Sequence, residues 1–496
     1  SETASAKLAT PINVKFEDLR GGEGYDAKKE TPNFGPVWKG GEWKLKNITD
    51  YMTTAAFTLM SHAADNREKW LTRFYEIGKE SVRPKTKAGE LYGFRVKIGD
   101  NFPRLLRLLN TAGVQYGFPT GEKKTEVPQT TYLGGRVTYP SASIIVPIDQ
   151  PYGAFAKALL ERQHYPDLMD EKGNPIAPYD VTAQTLPLLM NISVEEIRSP
   201  FKPQWIKNVH IRDEIGDCQT GWQNQIGIYK SQLPVMDEGW TRWVFEDGPC
   251  MEYESLFDSG IKANNFNQMK PPFGGLSKKL RNEKGLDDPK YRTIIFPDQS
   301  PNQILNGYAK VAMPDEYTGG VGKEGVENLK KFVEAGGTLV FLNRASDFAI
   351  EQFNLPIRDV TKGVARKDFY IPGSILRTEL DLTSPIAKGM PQQSIAWFEN
   401  GPAFEILSTT PSAEAAATPP VREGSFGDIR VIAKYPSDPS KILLSGWALG
   451  AEKIAGKAAL VEVTMGKGKI ILFGFRPQYR GQSLATFPLL FNAISN

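Results

Sequence analysis

The chain has 496 residues, an apolar fraction of 40% and a net charge of only +3. That length suits about three domains, and the apolar content is enough for ordinary buried cores. Lys and Arg alternate with Asp and Glu, which argues against a dedicated nucleic-acid or membrane surface, and no apolar run reaches the roughly 18 residues of a membrane span.

Residues 1–82 are loop-rich through Gly40–Gly41 and then helical. Asn47, with Asp50 three residues on, forms a capping-box-like start. Met52, Ala55, Ala56, Leu59, Met60 and Ala63 follow at helical spacing. Trp70, Leu71, Phe74 and Ile77 continue the stripe, and Gly78 and Pro84 mark its end. Residues 83–204 alternate strand and helix. Leu91–Ile98 reads as a strand, and Pro103 opens a helix whose apolar face is Leu105, Leu106, Leu108 and Leu109. Ser143–Ile148 is the next strand, then the helix Tyr152–Glu161. This is a small α/β linking domain that ends in the Pro-rich stretch Ser199–Pro203.

Residues 205–496 carry a longer alternation. Ile226–Tyr229 is a short strand. Met236, Trp240, Trp243 and Val244 share one helix face, with Asp237 and Glu238 in its favourable first turn. Arg292–Phe296 is a strand ending at Pro297–Asp298, and Glu324–Ala335 is an amphipathic helix stopped by Gly336–Gly337. The strand Thr338–Leu342 and the helix Asp347–Phe353 follow. Strands separated by helices of this length imply a parallel sheet. Leu460–Met465 and Lys469–Phe473 flank Gly466-Lys467-Gly468, a hairpin signal, and Pro411–Gly427 reads as an exposed loop. Gly319-Gly-Val-Gly-Lys323 lacks the spacing and the Ser or Thr of a phosphate loop, so it reads as a turn before a helix. Cys218 and Cys250 are the only cysteines, which excludes a disulfide framework and a four-cysteine zinc site; a single bridge and two buried thiols both stay open.

Several ordered segments carry a resemblance. They are Glu2-Thr-Ala-Ser-Ala-Lys-Leu-Ala-Thr-Pro11, the Trp38-Lys-Gly-Gly-Glu-Trp43 loop, Gln150-Pro-Tyr-Gly-Ala-Phe-Ala-Lys-Ala-Leu-Leu-Glu161, Pro178-Tyr-Asp-Val-Thr-Ala-Gln-Thr-Leu-Pro-Leu-Leu-Met190, Asp237-Glu-Gly-Trp-Thr-Arg-Trp243, and Ser346-Asp-Phe-Ala-Ile-Glu-Gln-Phe353. In this order they resemble the C-terminal portion of large bacterial proteins of the zinc carboxypeptidase family. The resemblance implies that residues 1–82 are the tail of a carboxypeptidase-type α/β catalytic domain. It implies peptide hydrolysis by zinc-activated water in the intact protein, with Glu2 as the general base. It places the zinc ligands upstream of Ser1, so this chain alone is expected to hold no zinc and to be inactive. An extracytoplasmic location is likewise implied by resemblance alone. His62, Asp65 and His164 mimic that family's ligand spacing. However, His62 and Asp65 sit inside a helical pattern, where the family's motif lies on a loop, and His210 has no later His to join it. Structural roles are expected for all three histidines.

Residues 205–496 resemble a flavodoxin-like, class I glutamine amidotransferase domain. Such enzymes put a Cys at a sharp strand-to-helix turn and bring a His and a Glu from a late strand end. Here the turn reads Leu342-Asn-Arg-Ala-Ser346, with Arg344 or Ala345 near the nucleophile's place. The late strand runs into Phe475-Arg-Pro-Gln478, so Arg476 and Gln478 replace the His and Glu. Neither can relay a proton near neutral pH, so no glutaminase activity is implied. Ser346 is expected to cap the helix that follows; a serine or cysteine hydrolase is the remaining catalytic alternative. Asp298, Arg344, Arg476 and Gln478 would gather where strand ends form a crevice. Two readings stay open there: an arginine pair gripping a ligand carboxylate, as in a non-catalytic ligand-binding or assembly module, and an internal salt-bridge network with Asp298.

Overall fold

A computed structural model of the chain describes residues 11–21, 26–32, 35–128, 136–201, 226–247, 251–264, 291–309, 313–407 and 426–495. It divides into two compact units, Ser1–Arg83 and Pro84–Asn496.

In the first unit, Ile12–Val14 pairs antiparallel with Gly41–Trp43, and the helices Leu45–Asp65 and Arg67–Ser81 follow. Lys44, not Asn47, is the N-cap. Asn47 stands at the third helical position, where its side chain accepts the Lys44 backbone N–H at 3.0 Å. It therefore supplies the returning half of the capping box. Neither helix has a buried residue. Phe57, Leu59, Trp70, Leu71 and Phe74 all face outward.

The second unit begins with a three-stranded antiparallel sheet, with Gly93–Lys97 between Ser143–Pro147 and Val194–Ile197. The helices Phe102–Thr111 and Gly153–Leu160 accompany it. Phe102, Leu105, Leu106 and Leu109 form the buried arc of the first helix; Leu108 lies outside that arc and is exposed.

Among the described residues, the rest of this unit builds a twelve-stranded sheet. Its main-path strands are, in chain order, β1 Ile226–Tyr229, β2 Glu254–Leu256, β3 Thr293–Phe296, β4 Thr338–Leu342, β5 Pro372–Leu380, β6 Gln393–Glu399, β7 Phe426–Lys434, β8 Ala458–Met465 and β9 Gly468–Phe473. Their spatial order is β6-β5-β7-β8-β9-β4-β3-β1-β2. The last five of these are parallel. Read in chain order they run 2-1-3-4-5, the order of a flavodoxin-like sheet. Beyond β9 the pairing turns antiparallel. The sheet is therefore mixed rather than parallel. The sequence pattern marks no strand between Phe353 and Leu460, because β5 and β6 are buried on both faces along most of their length and so lack the alternation that betrays a half-buried strand.

Helices cover both faces of the parallel half. Ile228, Ile295, Val340, Leu342 and Ile471 share a core with Val244, Phe245, Leu490 and Ile494, which lie on the helices Met236–Asp247 and Phe487–Ser495. Ile294, Phe296, Leu339, Phe341 and Leu472 pack with Val326, Leu329, Ala345 and Phe348, from Gly322–Glu334 and Ala345–Phe353. The first of these cores also contains Phe94, Val96, Leu105 and Ile144, so the small sheet and the large one share continuous apolar packing. The Met236–Asp247 helix buries Glu238, Thr241, Val244 and Phe245, whereas Met236 is 80% exposed. Of the expected Met-Trp-Trp-Val face, Val244 lies in the core, Trp243 packs against it partly buried, and Met236 points outward, so the buried arc is centred instead on Thr241, Val244 and Phe245.

Candidate functional site at the strand ends

Asp298 lies two residues past β3, Arg344 two past β4 and Arg476 three past β9. Neighbouring parallel strands that end together bring such residues side by side. The Asp298 side chain is 1% exposed and joins both arginines. Arg344 Nε and Nη2 donate to its Oδ1 and Oδ2 at 2.9 and 2.8 Å, and Arg476 Nη2 donates to Oδ2 at 2.6 Å. The Arg344 backbone N–H and Asn343 Nδ2 donate to Oδ1 at 3.0 and 3.1 Å. Arg476 also donates to Asp237 at 3.2 Å, in the first turn of the Met236–Asp247 helix, and to Glu399 at 2.8 Å, at the end of β6. The Arg476 guanidinium carbon sits 5.5 Å from the Trp397 ring centroid.

Burial pushes the Asp298 carboxyl up, but the hydrogen bonds from Arg344 and the charge of Arg476 outweigh it and hold the group below the usual carboxylate range. Asp237 is buried with less cationic support, and burial pushes it up to about 6. Burial also works against the Arg476 charge, yet Asp298, Asp237 and Glu399 together hold it more firmly protonated than a free guanidinium. Arg476 is therefore committed to three carboxylates of its own chain.

Gln478 does not join them. It is wholly buried, its Nε2 donates to Thr241 Oγ1 at 3.1 Å, and its Oε1 has no partner among the described residues. The sharp turn after β4 falls on Asn343, with a φ of +54°, one residue before the expected Arg344 or Ala345. Ser346 is no cap: the N-cap is Arg344, and Ser346 lies inside the helix. Its buried Oγ reaches the carbonyls of Phe473 at 2.9 Å and Phe341 at 3.3 Å. It therefore ties the helix to the ends of β4 and β9, and no base holds its proton.

The order of parallel strands reverses between β1 and β3, where a crevice is expected. A cavity of about 200 Å³ opens there, lined by Tyr229, Ser231, Leu233, Phe257, Pro297 and Gln299. Gln299 Nε2 donates to Ser231 Oγ at 2.8 Å. The consecutive residues Asp298 and Gln299 thus serve different features, one the ion network and the other the crevice. Sequence reading missed Asn343, Glu399 and Gln299. Asp237 was visible only as a first-turn acid, and Glu399 ends a strand that carries no pattern.

Glu2, His210, Cys218 and Cys250 lie outside the described residues. Among the described residues, no group of three or more His, Cys, Asp or Glu is disposed to hold a metal ion. His62 packs edge-on against Trp70 at 6.1 Å. No described helix is long and apolar enough to cross a membrane.

No known family model and no curated protein matches the chain. Among solved structures it is similar to a putative ThuA-like protein of Bacteroides uniformis, at 14% identity and a TM-score of 0.28 over 55% of this chain and 91% of that one. It is also similar to a putative GMP synthase component from Thermoplasma acidophilum (9%, 0.29, 54% and 92%) and a glutamine amidotransferase of Thermotoga maritima (9%, 0.27, 51% and 75%). Likeness at this level carries no argument about activity. The α/β class rests on the strand order and pairing themselves.

Proposed function

We propose that the chain is a non-catalytic part of a zinc carboxypeptidase-like protein, and that its large domain is a degenerate class I amidotransferase fold serving recognition or assembly. The observation behind the second half is the closed cluster at the strand ends. Acyl transfer needs a nucleophile within reach of a base. Here the sharp turn carries the Asn343 amide, and the late-strand positions carry a permanently charged Arg476 and the amide Gln478. The peptidase context is supported by the ordered sequence segments alone. In that context zinc would activate a water molecule in the intact protein, with Glu2 as the base beside it.

The test is direct. The purified 496 residues are incubated with zinc and C-terminal peptide substrates, and separately with glutamine. Neither should turn over. Robust hydrolysis of either substrate would overturn the reading.

A further inference from the structure

A second, larger cavity of about 600 Å³ lies away from the strand ends, between the small antiparallel sheet and the antiparallel half of the large one. Its size suits a small-molecule pocket. Leu160, Leu188, Ile395 and Leu444 give it apolar walls, and Arg162, His164 and Arg377 give it cationic and polar ones. Two carboxylates also line it, but each is already neutralised: Glu161 by Lys157 at 2.8 Å and Glu196 by Arg198 at 2.7 Å. Among the described residues, neither arginine in the lining has such a partner. Arg377 donates only to neutral acceptors, Gln393 Oε1 at 2.6 Å and the Lys441 carbonyl at 3.2 Å, and Arg162 makes no ion pair among the described residues.

The rim is held in place. Gln163 turns its side chain inward, where its Oε1 accepts Thr185 Oγ1 at 2.6 Å and Ser445 Oγ at 3.0 Å. Its backbone N–H donates to Ser445 Oγ at 2.9 Å, and its carbonyl accepts the Gly446 N–H at 2.8 Å. In an extended segment the residues on either side of Gln163 face the other way, which sends Arg162 and His164 toward the cavity.

We propose that this cavity binds an amphiphilic organic acid. Its carboxylate or phosphate head would meet Arg162 and Arg377, and its hydrocarbon body would lie on Leu160, Leu188, Ile395 and Leu444. The inference concerns a different part of the fold from the strand-end cluster and stands independently of the reading given to that cluster.

Titration calorimetry of the full chain with decanoate, decyl phosphate and decyltrimethylammonium, all below micelle formation, tests it. One saturable site is expected for at least one of the two anions and none for the cation, and the stronger anion identifies the head group. Arg162 is exposed and makes no ion pair among the described residues, so Arg162→Gln and Arg162→Glu should unfold in urea like the parent. Affinity should nevertheless fall at least fivefold in the first and further in the second. Equal binding of the cation, absence of saturation by both anions, or an Arg162→Glu affinity within twofold of the parent would overturn the proposal. The last result would mark uptake elsewhere, such as on the exposed faces of the Leu45–Asp65 and Arg67–Ser81 helices.

Discussion

Arg476 is 9% exposed and has three carboxylates within 3.2 Å. In Arg476→Ala, Asp298 would keep only Arg344 and its two N–H donors, and Asp237 would lose its cation. Breaking a buried pair from one side costs about 3–5 kcal/mol, so the urea midpoint at neutral pH should drop by that equivalent; a loss below about 1 kcal/mol would contradict the network's closure. A second residue carries a pH signature. Burial, reinforced by Asp359 and opposed by Lys362, pushes Asp347 up to about 7 from 3.8. A folded-state value above the unfolded one means that the protonated group stabilises the fold fully below about pH 4, and that this contribution is lost as pH rises through 7. Asp347→Asn stays neutral throughout. Its stability relative to the parent should rise steadily from pH 5 to pH 8, as read from denaturant midpoints at each pH. A difference that stays flat with pH would refute the assignment.

The turn after β4 shows how closely the elements are fitted. A Cβ at Gly401 would lie 2.4 Å from both Asn343 Oδ1 and the Gly474 carbonyl. Gly401→Ala is expected to cost about 1–3 kcal/mol by overpacking, measured as a shift in the unfolding midpoint; an unchanged midpoint would mean the strand ends can part freely. Strands β1 and β4 follow the residues that sequence patterning marked, because short apolar runs bounded by turn signals are local features. The hairpin was equally legible. Met465 faces Gly468 across a two-residue loop, and Gly466 adopts a φ of +58°, as the first position of a type II′ turn requires. The Met236–Asp247 helix matches the apolar pattern only partly in its buried arc, keeping Val244 but leaving Met236 exposed. Its polar side is drawn inward by partners on other elements, Asp237 by Arg476 and Thr241 by Gln478.

Across the whole molecule, the two units differ in how much tertiary packing supports them. The helices of the first unit bury no residue, and helices without packing are marginal in water. Limited proteolysis of the purified chain should therefore cut between residues 45 and 81 well before the described helices and strands of the second unit open; cleavage of both at one rate would show that they unfold together. Strands β1, β3 and β4, the Gly322–Glu334 and Ala345–Phe353 helices, the hairpin, and the absence of a Cys at the turn after β4 were set by the sequence itself, since each depends on residue identity or on spacing within a few residues. The antiparallel strands β5 to β7, the buried face of the Met236–Asp247 helix and the fate of the Asp298 cluster were decided by tertiary structure. Arg476 donates to a carboxylate 239 residues away. Such a pairing exists only once the sheet has assembled, because no local periodicity encodes which buried charges will meet.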